Sequence, residues 1–409
     1  TELELMPGTA RYRFTADGAD LTLVSVNGEE PEPFDFPSLN ARGEPIYRLG
    51  TLSKTDPGPL QLVATGETGE RSLEIALQRS DFTWFSNDLF REDNLGGIPV
   101  VRVRGFGDPG AADLERFVET GSAHRGDPVV VVDIRGNRGG NEAWPIAWIQ
   151  GLTGERADAV FIFAELQSKT SMASRANTFA YLHDRYPGVE LYERDAEDFA
   201  EIVETFENGE WEPHWRGPFF PHMPPIPNET TVVIVTNGMV ASAGEGMVMR
   251  ASRAENVMLV GENTRGCLTF GNPGDFLLPH SRLKIHMPIN LGLYPDMAFR
   301  EEIGVKPDLW VPAADAVNYT VAALRAGTIS THLPLTAAAA AQPFVPEDPW
   351  ARQRWNRLGL VAVIVLFGVA AAVWSFFVRR RPAIVVGVGV VWLFIGAAWL
   401  YKGKEVGYA

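Results

Sequence analysis

The chain has 409 residues, 45% apolar and 21% charged, a balance that supports a sizeable folded core and excludes a disordered polymer. Its formal charge of −15 argues against nucleic acid as a partner, because phosphate binding needs clustered lysine and arginine, and it disfavours acidic substrates on the same ground. The single cysteine, Cys267, leaves no intrachain disulfide for the fold to rely on.

The chain opens on Thr1 with no charged-then-apolar leader, so it is expected to be a fragment of a longer protein or a processed one. Residues 1–92 read as a β-rich module. Polar and apolar positions alternate at 10–14, 20–27, 60–64 and 72–78, as in half-buried strands, and Asn27-Gly28 supplies a tight turn after an apolar run. A PDZ-like peptide-binding module is the alternative to a plain β-rich lead-in.

From residue 93 the texture becomes strand, helix, strand. Residues 98–104 are a strand, 111–124 carry helical spacing, and Val129-Val-Val-Val-Asp133 is a continuous apolar run suited to a strand buried on both faces. This order predicts helices covering a mostly parallel sheet, a core extending over 93–315. A polar, aromatic and proline-bearing insertion at 166–228 is expected to be helical around 175–186 and 195–208, after which a second α/β run starts at residue 230.

Residues 316–356 read as a linker. Two uncharged apolar stretches follow, 358–378 and 383–400, each near the ~20 residues that cross a bilayer core, joined by Arg379-Arg-Arg-Pro382. Segment 357–409 is therefore expected to form a transmembrane hairpin touching the lipid bilayer through 358–400. Arginines and lysines flank both sides of the hairpin, so the positive-inside count does not orient it.

Two loops carry the chemistry. Asp133-Ile-Arg-Gly-Asn-Arg-Gly-Gly-Asn141 follows a buried strand, and its glycines can turn the backbone to aim N–H groups at a developing oxyanion; a plain tight turn explains it equally well. Thr236-Asn-Gly-Met-Val-Ala-Ser-Ala-Gly-Glu245 follows another apolar strand and places Ser242 at a helix start, where the Ala243 N–H and the helix dipole favour negative charge. Serine there is more commonly just a cap. Asp133 and Arg135 read as loop anchors, and the histidines and acids do not fall into metal-ligand spacing, so no metal or cofactor is expected.

Taken together these loops, with Val260-Gly-Glu-Asn-Thr-Arg-Gly266 and Gly304-Val-Lys-Pro-Asp308, make the chain resemble the C-terminal-processing, or tail-specific, serine peptidases over residues 97–312. The resemblance implies an α/β core of the ClpP and crotonase kind, with Ser242 as nucleophile and the N–H groups of Ala243 and of Gly139 or Gly140 as the oxyanion hole. Where one branch of the family has a lysine, this chain has Cys267, whose thiol cannot replace that base. The Ala241-Ser-Ala-Gly-Glu245 wording is more similar to the tricorn-core branch, which uses a Ser-His-Glu system. That likeness implies an orienting carboxylate at Glu301, with Glu302 as substitute, and a histidine base upstream of Thr1, since His124, His183, His214, His222, His280, His286 and His332 all lie in other contexts.

The expectation is therefore an α/β, ClpP/crotonase-like peptidase core with a β-rich N-terminal module and a two-helix membrane hairpin. It would be a membrane-tethered serine endopeptidase acting on polypeptides at a bacterial inner membrane, with its core on the periplasmic or extracellular side. The alternative is an inactive peptide-binding scaffold of the same fold, and a homo-oligomer is left open.

Overall fold

The structure, a computed structural model, describes residues 2–5, 12–31, 35–51, 57–77, 88–157, 161–219, 225–278, 280–281, 283–293 and 299–329. The expected apolar pair at 358–400 lies outside them, and among the described residues no helix is long and apolar enough to cross a membrane.

The N-terminal region is an antiparallel sheet of β1 (Glu2–Leu5), β2 (Tyr12–Ala16), β3 (Ala19–Val26), β4 (Asp35–Leu39), β5 (Pro45–Leu49), β6 (Leu60–Gly66) and β7 (Gly69–Ile75) in the order β4-β5-β1-β2-β3-β6-β7. Alternation does here what it predicts. Tyr12, Phe14, Leu21, Leu23, Leu60, Leu62 and Ala64 turn to one buried face while their neighbours face water. Asp17-Gly18 closes the β2–β3 hairpin with both residues at positive φ, the twist-matched turn for a two-residue connection.

The chain continues through β8 (Phe90–Leu95), β9 (Ile98–Val103), α1 (Ala111–Ala123), β10 (Val129–Asp133), α2 (Ala143–Thr153), β11 (Ile162–Gln167), α3 (Lys169–Arg185), α4 (Glu190–Glu207), β12 (His214–Phe219), β13 (Thr231–Thr236), α5 (Ala243–Ala251), β14 (Val257–Gly261), β15 (Phe270–Leu277), β16 (Lys284–Leu293), β17 (Leu309–Trp310) and α6 (Ala316–Ala326). A six-stranded sheet, β17-β14-β13-β10-β9-β8, is parallel except at the β8–β9 hairpin. Both faces are covered, which explains the unbroken apolar runs. Val130, Val132, Val232 and Ile234 pack with α1, α2 and α5, whereas Val129, Val131, Val233 and Val235 pack with α6. Leu39 of β4 belongs to that second cluster, and Phe36 meets Trp310 with ring centroids 6.0 Å apart.

The insertion differs from the helical segment expected at 166–228. α3 starts six residues earlier than its spacing suggested, because Ser168 and Ser171 form a reciprocal capping box. β12 closes the insertion and enters a four-stranded antiparallel sheet, β12-β11-β16-β15, half of which comes from residues 270–293. The result is an α/β fold with mixed sheets.

Candidate active site

β10 and β13 are adjacent parallel strands, so the loops leaving their C-terminal ends emerge side by side. Asp133, at the end of β10, is fully buried and accepts from Arg102 Nη1 (3.0 Å), Arg104 Nη2 (2.7 Å), and Arg135 Nε and Nη2 (2.8 Å each). Burial pushes this carboxyl up, but Arg104 and Arg135 override it and hold it well below the usual carboxylate range. Arg135 also donates to the Ala313 carbonyl, so the pair expected to anchor the loop does so by bonds on both sides.

Two asparagines then pin the loops together. The Asn137 side chain accepts from the Gly139 N–H (2.9 Å) and donates to the Val103 carbonyl (3.3 Å), and its carbonyl accepts from the Ala241 N–H (3.0 Å). Asn237 Oδ1 accepts from the N–H groups of Gly136 (2.9 Å) and Met239 (3.3 Å). Sequence reasoning passed over both. Their signal was an Asn at the turn after each buried strand, where a short amide can bond local backbone.

Ser242 occupies the N-cap position of α5, yet its side chain makes no capping bond. Its backbone sits at φ 52° and ψ −124°, and its side chain is exposed while Ala241 and Ala243 are buried. A non-glycine residue in that region costs about 1–3 kcal/mol. The plain cap role considered for Ser242 is therefore absent, and the conformation instead presents the hydroxyl to solvent.

The glycine pair lies against this serine. Gly139 has φ +96°, and a Cβ there would stand 2.8 Å from the Ala243 nitrogen, the Ser242 Cβ and the Ala241 carbonyl oxygen. On its other side Gly140, at φ +137°, abuts Phe106 and Gly107; the Phe106 N–H donates to the Gly139 carbonyl (2.9 Å) and the Asn141 N–H to the Phe106 carbonyl (2.7 Å). Side chains would not fit in this sandwich. Of the two amides left open as donors, the Gly139 N–H is bonded to the Asn137 side chain, so Gly139 gives close approach rather than a free amide. Among the described residues the N–H groups of Gly140 and Ala243 meet no acceptor.

A third loop closes the site. The Arg265 N–H donates to the Val240 carbonyl (2.8 Å). Buried Glu245, three residues after Ser242, accepts from Thr264 Oγ1 (2.5 Å), the Gly266 N–H (2.7 Å), the Cys267 N–H (2.8 Å) and the Ser242 backbone N–H. Burial raises its pKa despite those bonds. The Thr264 N–H donates to the Val305 carbonyl (3.2 Å) while Thr264 Oγ1 accepts from the Val305 N–H (2.7 Å), and Asp308 accepts from the Leu259 N–H (2.8 Å), so all four motifs converge. Glu245 was quoted only as part of a motif; its anchoring role depends on contacts that spacing does not reveal.

Glu301 is half-buried and accepts from the Thr269 N–H (3.1 Å), while Glu302 is exposed at φ 63° with its own N–H on the Gly266 carbonyl (2.7 Å). Burial, then the charges of Glu301 and Glu245, raise the pKa of the Cys267 thiol, which places Glu301 beside the residue standing where a lysine was sought. Among the described residues no histidine or lysine bonds Ser242: His124 pairs with Asp127 and Glu92, His286 with Asp275, and His214 with the Glu212 carbonyl. No group of histidine, cysteine and acidic side chains among the described residues could hold a metal ion.

The model of peptidase family S41 matches residues 97–311. Solved structures similar to the chain include mature CPAF complexed with lactacystin (14% identity, 80% of this chain and 82% of that one, TM-score 0.36). Others are the photosystem II D1 C-terminal processing protease (13%, 78% and 68%, TM-score 0.33) and a putative S41 protease from Bacteroides fragilis (14%, 84% and 79%, TM-score 0.31). At those scores the likenesses carry no further argument. No curated protein matches the chain.

Proposed function

We infer the chemistry from one premise: the chain belongs to peptidase family S41, whose model covers more than half of it, and is a serine-type peptidase. Ser242 Oγ attacks the carbonyl carbon of a polypeptide bond, its proton passing to a base. The tetrahedral oxyanion is held by the N–H groups of Ala243 and Gly140, the amine leaves with a proton, and water hydrolyses the acyl-enzyme. The observation carrying this assignment is an exposed serine at positive φ beside two amides without acceptors. Gly139 lets the loop close on Ser242, and Glu301 orients a histidine that comes from outside the described residues.

The two uncharged stretches within 358–400 support a membrane tether, tested by whether the full-length chain stays with membranes through alkaline carbonate extraction and is released by detergent. The same stretches support a membrane location and, with basic residues on both sides of the hairpin, leave the side of the core open.

The peptidase assignment is tested by fluorophosphonate labelling of the full-length protein beside Ser242→Ala. Labelling of the wild type alone is expected; labelling that survives the substitution moves the nucleophile elsewhere. A second reading, an inactive peptide-binding scaffold, draws on the lack of any described histidine or lysine on Ser242, and it wins if the wild type does not label while still binding peptides.

A further inference from the structure

A glycine at φ +137° has no side chain to hold its amide direction, so the aim of the Gly140 N–H is set by the bonds on either side of it. On one side, the Phe106 N–H donates to the Gly139 carbonyl (2.9 Å). The carbonyl and N–H of a trans peptide point in opposite directions, so this bond turns the Gly140 N–H away from residue 106. On the other side stands Asn141, whose N–H returns to the Phe106 carbonyl (2.7 Å) and whose Oδ1 accepts from the Ala143 N–H (2.9 Å).

The remaining polar group of the Asn141 side chain goes to Asp108, two residues beyond Phe106. Asp108 Oδ1 accepts from Asn141 Nδ2 (2.9 Å) and from Trp144 Nε1 (3.0 Å), so one half-buried carboxylate joins the residue after Gly140 to the first turn of α2. The inserted helices reach the same carboxylate: burial, then the charge of Asp108 and a hydrogen bond to it, push the phenol of buried Tyr192 on α4 up to about 12. Residues 106–108 therefore grip Gly140 from both sides, by backbone at Phe106 and by a charged side chain at Asp108.

We propose that Asp108 is a positioning residue of the hydrolytic site, which holds Asn141 so that the Gly140 N–H faces the developing oxyanion. This rests on the peptidase reading of the same site. Asp108 touches neither substrate nor Ser242 in this role and takes no part in the proton transfers; it acts through Asn141. An oxyanion donor works only when it is already aimed at the place where charge develops, so slackening this clip lowers the rate of attack more than the binding that precedes it.

The test follows fluorophosphonate labelling of the full-length protein against probe concentration, in the wild type, Asp108→Ala, Asp108→Asn, Asn141→Ala and the double Asp108→Ala/Asn141→Ala. In Asp108→Ala the limiting rate is expected to fall at least about tenfold while the half-saturating concentration stays within about twofold. Asp108→Asn, which keeps one acceptor oxygen, should retain part of the rate, and the double variant should be no slower than the slower single one, because both substitutions cut the same link. Should Asp108→Ala fail to fold by circular dichroism, Asp108→Asn carries the comparison, with a fall of about threefold or more expected. An unchanged limiting rate, a fall matched by an equal rise in the half-saturating concentration, or effects that multiply in the double variant overturns the proposal. The wild type separates the two failures: if it does not label, the peptidase reading falls and this proposal with it, whereas a labelled wild type beside an unaffected Asp108 variant loses only the assignment of Asp108.

Discussion

The backbone of Gly139 packs directly on Ser242: a methyl group added to Gly139 would lie 2.8 Å from the serine Cβ and equally close to the Ala243 nitrogen. Gly139→Ala therefore meets a strained φ of +96° and pushes on Ser242 at once. A stability loss of about 1–3 kcal/mol is expected, together with fluorophosphonate labelling at least about tenfold slower, equivalent to some 1.4 kcal/mol in the barrier. Thermal melting and labelling kinetics on one preparation check both; an unchanged labelling rate would show that the contact does not set the serine's position.

Glu245 gathers the loop of Ser242 and the loop 264–267 onto one buried carboxylate. Glu245→Gln turns an amide NH2 toward backbone donors and is expected to cost about 1–3 kcal/mol, measured by urea unfolding. The sign of its pH dependence follows from the raised pKa. The folded state holds this proton more readily than the unfolded chain, so the group's contribution declines as pH rises from about 4.5 through the folded value. The glutamine variant should lack that component.

Asp133 has the opposite sign. Its folded pKa lies well below the ordinary 3.8, so its stabilising contribution is complete above that value and is lost as pH falls below it. Asp133→Asn strands Arg102, Arg104 and Arg135 without their shared countercharge, and a loss of about 3–5 kcal/mol is expected. Urea midpoints at neutral pH test the magnitude, and those of the wild type below pH 4 test the direction.

Cys267 is expected to be a poor nucleophile, because burial and the neighbouring charges of Glu301 and Glu245 disfavour its thiolate. Alkylation by iodoacetamide at pH 8 should run slower than for a free small-molecule thiol. Cys267→Ala should leave Ser242 labelling intact; abolished labelling would bring the thiol into the chemistry.

The central sheet was readable from residues 129–133 and 230–236 because burial on both faces removes polar positions altogether. The serine and glycine loops were ambiguous one by one, as a cap and a tight turn, and took their reading from their order along the chain with residues 260–266 and 304–308. What escaped was set by side chains reaching across the fold. Nothing in the order of residues says that the Asn137 side chain occupies the Gly139 amide, or that Ser168 and Ser171 start α3 six residues early. Strand β16 was hard to foresee as a partner of β11, since that pairing links segments more than a hundred residues apart.

Leu39, on an outer strand of the N-terminal sheet, shares one apolar cluster with Val311 and Val317, and Phe36 leans on Trp310. A β-rich module fused to the catalytic sheet in this way is not a tethered arm that swings out to capture a chain and carry it inward. Deleting it would strip the greasy lining from the floor beneath β17 and α6, so whatever selectivity the module lends to cleavage is fixed masonry rather than a moving gate.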